Sequence, residues 1–121
     1  MTATESQEQS ALFQWIRLQP EIKHIAYSIP NGAVLAGNNK RRAIQMSVLK
    51  STGLLLGCPD ICLPLPRNDH GALYIELKVK SGGKVSENQK NTLKALADAG
   101  NAVCIANGAD EAIEFIKDYL R

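Results

Sequence analysis

Three residues capable of chemistry lie close together in one stretch of the chain: Asp60 in GCPDI (residues 57–61), and Glu76 and Lys78 in LYIELKVK (residues 73–80). Along an extended strand, residues two apart share a face, so Glu76 and Lys78 project together while Leu73, Ile75, Leu77 and Val79 take the other side. If the segment of Asp60 pairs with theirs as a hairpin, Asp60 reaches Glu76 from the neighbouring strand, gathering two carboxylates and an ammonium at one spot. Carboxylates that close repel unless a cation sits between them. Hard oxygen donors suit Mg²⁺ or Mn²⁺, with water and a phosphate oxygen completing the octahedron. Such a cluster can serve phosphodiester hydrolysis: the ion polarises the phosphate and acidifies its water, and the lysine orients that water or offsets charge in the transition state. Taken alone, Glu-x-Lys on a strand is more often a solvent-side ion pair worth little.

The elements that must hold these groups can be read from periodicity and punctuation. Residues 6–18 carry Leu12, Trp15 and Ile16 at helical spacing, and Pro20 stops the helix soon after. Residues 23–29 alternate weakly and end at Pro30-Asn31-Gly32, which reads as a strand and its turn. Asn39 can cap a second helix running to about Ser51, with Ile44 and Val48 on one side and Lys40, Arg41 and Arg42 in its opening turn. A short apolar strand over residues 60–65, the polar turn PRNDHG, and a partner strand over residues 72–79 follow, with Gly82-Gly83 as the end. Ser86 begins a helix to about Ala99 with Leu93 and Leu96 facing inward and Gly100 as terminator. Residues 102–106 form a buried strand, Asn107-Gly108 a turn, and Ile113, Ile116 and Leu120 the stripe of a last helix. The order αβαββαβα predicts an α/β fold, a small mixed sheet flanked by helices.

With 121 residues, 45% hydrophobic and 21% charged, and no fixed-period repeat, the chain supports a single domain over residues 1–121, expected to fray only from Met1 to about Thr4. The first residues have neither a basic nor an apolar leader pattern. The longest apolar stretch, residues 54–65, is cut by Gly57, Pro59 and Asp60, so neither secretion nor a membrane span is expected. Cys58, Cys62 and Cys104 are odd in number and lack CxxC spacing, which fits a reducing, cytoplasmic setting; with His70 they do not make a zinc knuckle. His24 and His70 have no partner motif, and Trp15 reads as core rather than as a platform for bases. The net charge is only +2. Lys40, Arg41 and Arg42, and the lysines at 78, 80, 84, 90 and 94, could meet phosphates, although such runs are commonly solvated faces.

In their order along the chain, IPNG (residues 29–32), GCPDI, LYIELKVKSGGKVSENQK (residues 73–90), Gly100 and AVCIA resemble the virus-type replication-repair nuclease (VRR-NUC) domain, a branch of the PD-(D/E)xK nucleases. The resemblance runs over about residues 5–120 and implies a restriction-endonuclease-like core. It assigns Asp60 and Glu76 as metal ligands with the carbonyl of Leu77 as a further one, Lys78 as the catalytic lysine, and Gln89 as a glutamine near the scissile phosphate. It also expects a carboxylate on the first helix, for which Glu5 followed by Gln9 fits better than Glu8. Gln89 has a second reading, since Ser86-Glu87-Asn88-Gln89 is a capping box, and both roles stay open. By the same resemblance the chain is a stand-alone, phage-like form: a structure-directed DNA endonuclease using Mg²⁺ or Mn²⁺ on branched DNA such as Holliday junctions. A homodimer would match the two-fold junction. No base-reading motif is visible, so shape rather than sequence is expected to be recognised. The alternatives are a catalytically idle DNA-binding module of the same fold and an interaction domain unrelated to nucleic acid; both leave the joint presence of Asp60, Glu76 and Lys78 without a chemical reason.

Overall fold

The computed structural model describes residues 3–30 and 35–121. Along the chain run α1 (Glu5–Ile16), β1 (Tyr27–Ser28), α2 (Asn39–Ser51), β2 (Ile61–Leu63), β3 (Leu73–Lys78), α3 (Glu87–Asp98), β4 (Ala102–Asn107) and α4 (Ala109–Leu120). The strands lie in the order β1-β2-β3-β4, antiparallel at the first two junctions and parallel between β3 and β4. This is the mixed α/β fold that the alternation of elements predicts. Between β2 and β3, Arg67 and His70 exchange backbone hydrogen bonds around Asn68 and Asp69, whose φ values of 51° and 66° give the turn the twist a hairpin needs. A parallel β4 cannot follow β3 directly, and α3 supplies the crossover.

Leu12 and Ile16 of α1, Ile61 and Leu63 of β2, Ile75 and Leu77 of β3, and Ala112 and Ile116 of α4 are each no more than 1% exposed and form one core. Alternation sends every second strand residue into it. The opposite face of β3 is covered as well: Glu76 is 2% and Lys78 7% exposed. A strand with a parallel neighbour is usually buried on both sides, and that burial removes the reading of Glu-x-Lys as a solvent-side pair.

Several local expectations shift. Thr4, expected to fray, is the N-cap of α1 and shares a capping box with Gln7, each side chain bonding the other's backbone at 3.1 and 2.8 Å. The first strand is reduced to Tyr27–Ser28 because the preceding residues wind into turns, the Gln19 carbonyl accepting from the Ile22 and Lys23 amides. Asn38, not Asn39, caps α2, its Oδ1 accepting the Arg41 N–H at 2.9 Å. That helix buries none of its residues, and Ile44 and Val48 remain 56% and 55% exposed. Asn31 and Gly32 of the expected turn lie outside the described residues.

Candidate active site

Extending the β2–β3 register one step beyond the Ile61–Ile75 pair sets Asp60 across from Glu76. Asp60 uses its side chain there, Oδ2 accepting the Leu77 N–H at 2.7 Å. The Glu76 side chain leaves on the face opposite Leu77 and meets the start of α3. Its Oε1 accepts from Gln89 Nε2 at 2.6 Å and lies 3.4 Å from Lys78 Nζ, and Lys78 Nζ donates to Gln89 Oε1 at 3.3 Å. Three side chains close a ring. Gln89 completes the capping box, its Oε1 accepting the Ser86 N–H at 2.9 Å, while its Nε2 holds Glu76. The start of α3 and the cluster are thus one hydrogen-bonded unit.

Gly57 allows this closeness. At φ +84°, a Cβ there would stand 2.4 Å from the Asn88 carbonyl carbon and 2.7 Å from the Gln89 nitrogen. The loop entering Asp60 therefore rests directly on the backbone of α3's first turn, an approach open only to glycine.

The structure separates the two glutamates of α1. Glu5 is exposed, lines a cleft of about 810 Å³ between α1 and β1 that also reaches Asp60, and its charge is felt by both Asp60 and Glu76. Glu8 is 4% exposed, and its Oε1 accepts the Ala109 N–H at 3.1 Å. That bond does for α4 what its N-cap, Gly108, has no side chain to do. This role of Glu8 went unread in the sequence; a glycine N-cap ahead of a strongly striped helix signals a missing acceptor without saying where it comes from.

The VRR-NUC domain family model matches residues 3–110. The chain belongs to the VRR-NUC family. A solved VRR-NUC domain protein matches it with a TM-score of 0.84 over 99% of this chain and 90% of that one, at 22% identity, a likeness of fold. No curated protein matches the chain. The VRR-NUC fold is of nuclease type, and here it gathers Asp60, Glu76, Lys78 and Gln89 around the C-terminal end of β3, with Glu5 in electrostatic reach. Lys40, Arg41 and Arg42 are exposed on the first turn of α2 and take no part in the cluster's hydrogen bonds or ion pairs.

Electrostatics mark out Glu76 within the VRR-NUC cluster. Burial and the nearby Asp60 charge push its carboxyl up to about 7, against the pull of Lys78. Burial also raises Asp60, opposed by the hydrogen bond from Leu77. The second oxygen of Glu76, Oε2, is buried without a hydrogen-bond partner. A carboxylate with an idle oxygen, short of positive charge despite an adjacent lysine, has the character of a cation ligand. Asp60, Glu76 and the Leu77 carbonyl could hold a hard divalent ion. Among the described residues no three His, Cys, Asp or Glu side chains form a group that could hold one unaided, so a backbone carbonyl and water would have to complete the shell.

Proposed function

We propose that this VRR-NUC domain is a structure-directed DNA endonuclease, hydrolysing phosphodiester bonds with Mg²⁺ or Mn²⁺ on branched DNA such as Holliday junctions, and acting as a homodimer. The observation that carries the reading is the ring of Glu76, Lys78 and Gln89 beside Asp60, with Glu76 Oε2 buried and unpartnered. Asp60, Glu76 and the Leu77 carbonyl would hold the ion, which supplies Lewis acidity and an acidified water. The Leu77 N–H fixes Asp60 and Gln89 fixes Glu76, so the donors need little reorganisation before the reaction. Lys78 presents its ammonium beside Glu76, where it orients a water or meets the charge that grows on the phosphate. Glu5 adds a carboxylate from the side of the cleft.

Lys40, Arg41 and Arg42 are suited to the DNA backbone, since none has an ion-pair partner among the described residues. Ile44 and Val48, four residues apart on α2, give a second copy of the chain an apolar surface to cover, with Leu55 (58% exposed) and Leu56 (43%) just beyond the helix. Among the described residues no helix is long and apolar enough to cross a membrane, and the odd number of cysteines suits the reducing cytoplasm.

The test is cleavage of labelled four-way junction, flap, duplex and single-stranded DNA in Mg²⁺, Mn²⁺ or EDTA, with Glu76→Ala beside the wild type. Metal-dependent cutting, fastest on branched DNA and lost in the variant, is expected. Cutting that survives EDTA or the substitution overturns the site, equal rates on duplex and junction overturn structure direction, and a monomeric active species in sedimentation overturns the homodimer.

A further inference from the structure

Four surface cations of the second half of the chain are matched by carboxylates three or four residues away: Lys90 by Glu87, Lys94 by Asp98, Lys117 by Glu114 and Arg121 by Asp118. Arg17 and Lys23 are not. Neither has an ion-pair partner among the described residues, and Glu21, which stands between them in sequence, pairs with Arg67 instead. Both line the cleft between α1 and β1, which Glu5 and Asp60 also line. Arg17 is the C-cap of α1 and Glu5 its first residue, so at about 1.5 Å per residue the helix separates them by about 18 Å. The cleft therefore has an acidic end at the candidate metal ligands and a basic end a helix length away.

What lies between suits a nucleic acid strand. Gln9, Gln14, Ser10 and Ser28 offer neutral hydrogen-bonding groups, and Phe13 adds aromatic surface. A volume of about 810 Å³ falls within the range of roughly 300–1,000 Å³ usual for small-molecule sites, the scale of a few nucleotides rather than of a double helix. Arg17 would also complement the dipole of α1, but Lys23 lies beyond the helix and has no such explanation.

We propose that this cleft is a single-strand subsite: it seats the few nucleotides of the cleaved strand that lead away from the scissile phosphate, with Arg17 and Lys23 on a distant phosphate. The proposal rests on the nuclease reading and deepens it. A strand must leave its complement to enter such a cleft, which gives branched and frayed DNA an advantage over intact duplex without any base being read.

Two measurements test it. Binding of fluorescein-labelled single-stranded DNA is followed by anisotropy in EDTA from about 50 to 200 mM salt, for wild type and Arg17→Ala/Lys23→Ala. At about 0.7 per phosphate contact, the double variant should lower the slope of log affinity against log salt by about 1.4 and weaken binding about 10-fold at low salt. Its melting temperature should be unchanged, since both residues are exposed. In the second measurement, single methylphosphonates are walked along the cleaved strand of a flap. One position within about five nucleotides of the cut should weaken binding to the wild type and leave the double variant unaffected. An unchanged salt slope, or methylphosphonate losses equal in both proteins at every position, overturns the subsite. Binding in EDTA requires no chemistry, so these outcomes are distinct from a failure of the nuclease reading, which would show as intact DNA with either metal.

Discussion

Helices α2 and α3 have 13 and 12 residues, and each is opened by a side-chain cap, yet they stand in opposite relations to the rest of the molecule. The first turn of α3 lies against Gly57, Gln89 enters the cluster, and its lysines at 90 and 94 are met by carboxylates of the same helix. Helix α2 buries no residue, shows Ile44 and Val48 to solvent, and leaves Lys40, Arg41, Arg42 and Lys50 without ion-pair partners among the described residues. A helix of this length is marginal in water without packing. Interactions within the chain hold α3 in place, whereas α2 presents its apolar pair and its basic first turn to solvent.

The largest effect is expected on the α3 side. Lys78→Ala should retain metal binding, followed by calorimetry, and lose cleavage by about 10²- to 10³-fold, the usual cost of removing one preorganised electrostatic group. Gln89→Glu keeps a residue able to complete the capping box but removes the amide donor to Glu76; cleavage should fall with little change in melting temperature. A variant that melts early while its chemistry survives would show that Gln89 matters only as a cap.

Next comes pH. In the metal-free fold the Glu76 carboxyl is held at about 7, against 4.5 for an ordinary glutamate. Between these values the native state carries a proton that the unfolded chain has lost, so stability must fall as pH rises through that window. The loss is on the order of 3 kcal/mol. It should appear in EDTA as a melting temperature that drops from pH about 4.5 to about 7 relative to Glu76→Gln. Parallel profiles for the two proteins would contradict the unfavourable burial of this charge.

On the α2 side, Lys40→Ala/Arg41→Ala/Arg42→Ala should weaken junction binding and flatten its salt dependence, by as much as about 2.7 in slope if all three touch phosphates, with the metal site intact. Binding unchanged across a salt series would remove the helix from the DNA interface. The smallest effect separates neighbouring asparagines: Asn38→Ala should destabilise α2 by about 1 kcal/mol and Asn39→Ala by much less, read as helicity by circular dichroism.

The order of elements was legible because each break carries a strong signal: Pro20, the PRNDHG turn, Gly82-Gly83, Gly100 and Asn107-Gly108. The sharing of a face by Glu76 and Lys78 follows from strand alternation, and the approach of Asp60 from a hairpin too short to slip. What hid from view depends on contacts between distant segments. The burial of Glu76 and Lys78 comes from a helix that returns through a crossover, and the engagement of Glu8 comes from α4. The cap at Asn38 escaped for a different reason, since two adjacent asparagines are chemically alike. The exposure of Ile44 and Val48 could not be read from a helical stripe, which shows that a side is apolar but not what covers it.

The bond from Ala109 to Glu8 joins residues 101 apart. A chain made from its N-terminus at roughly 5 to 20 residues per second produces α1 some 5 to 20 s before α4 exists to receive it. For that interval a helix of 12 residues has lost part of its packing surface, and the glutamate that will bind α4 faces water. Glu5 sits on the same helix, so a contact that steadies its position is among the last the chain can form. A chain that stopped short of α4 would keep Asp60, Glu76, Lys78 and Gln89 but lack this one contact that holds α1.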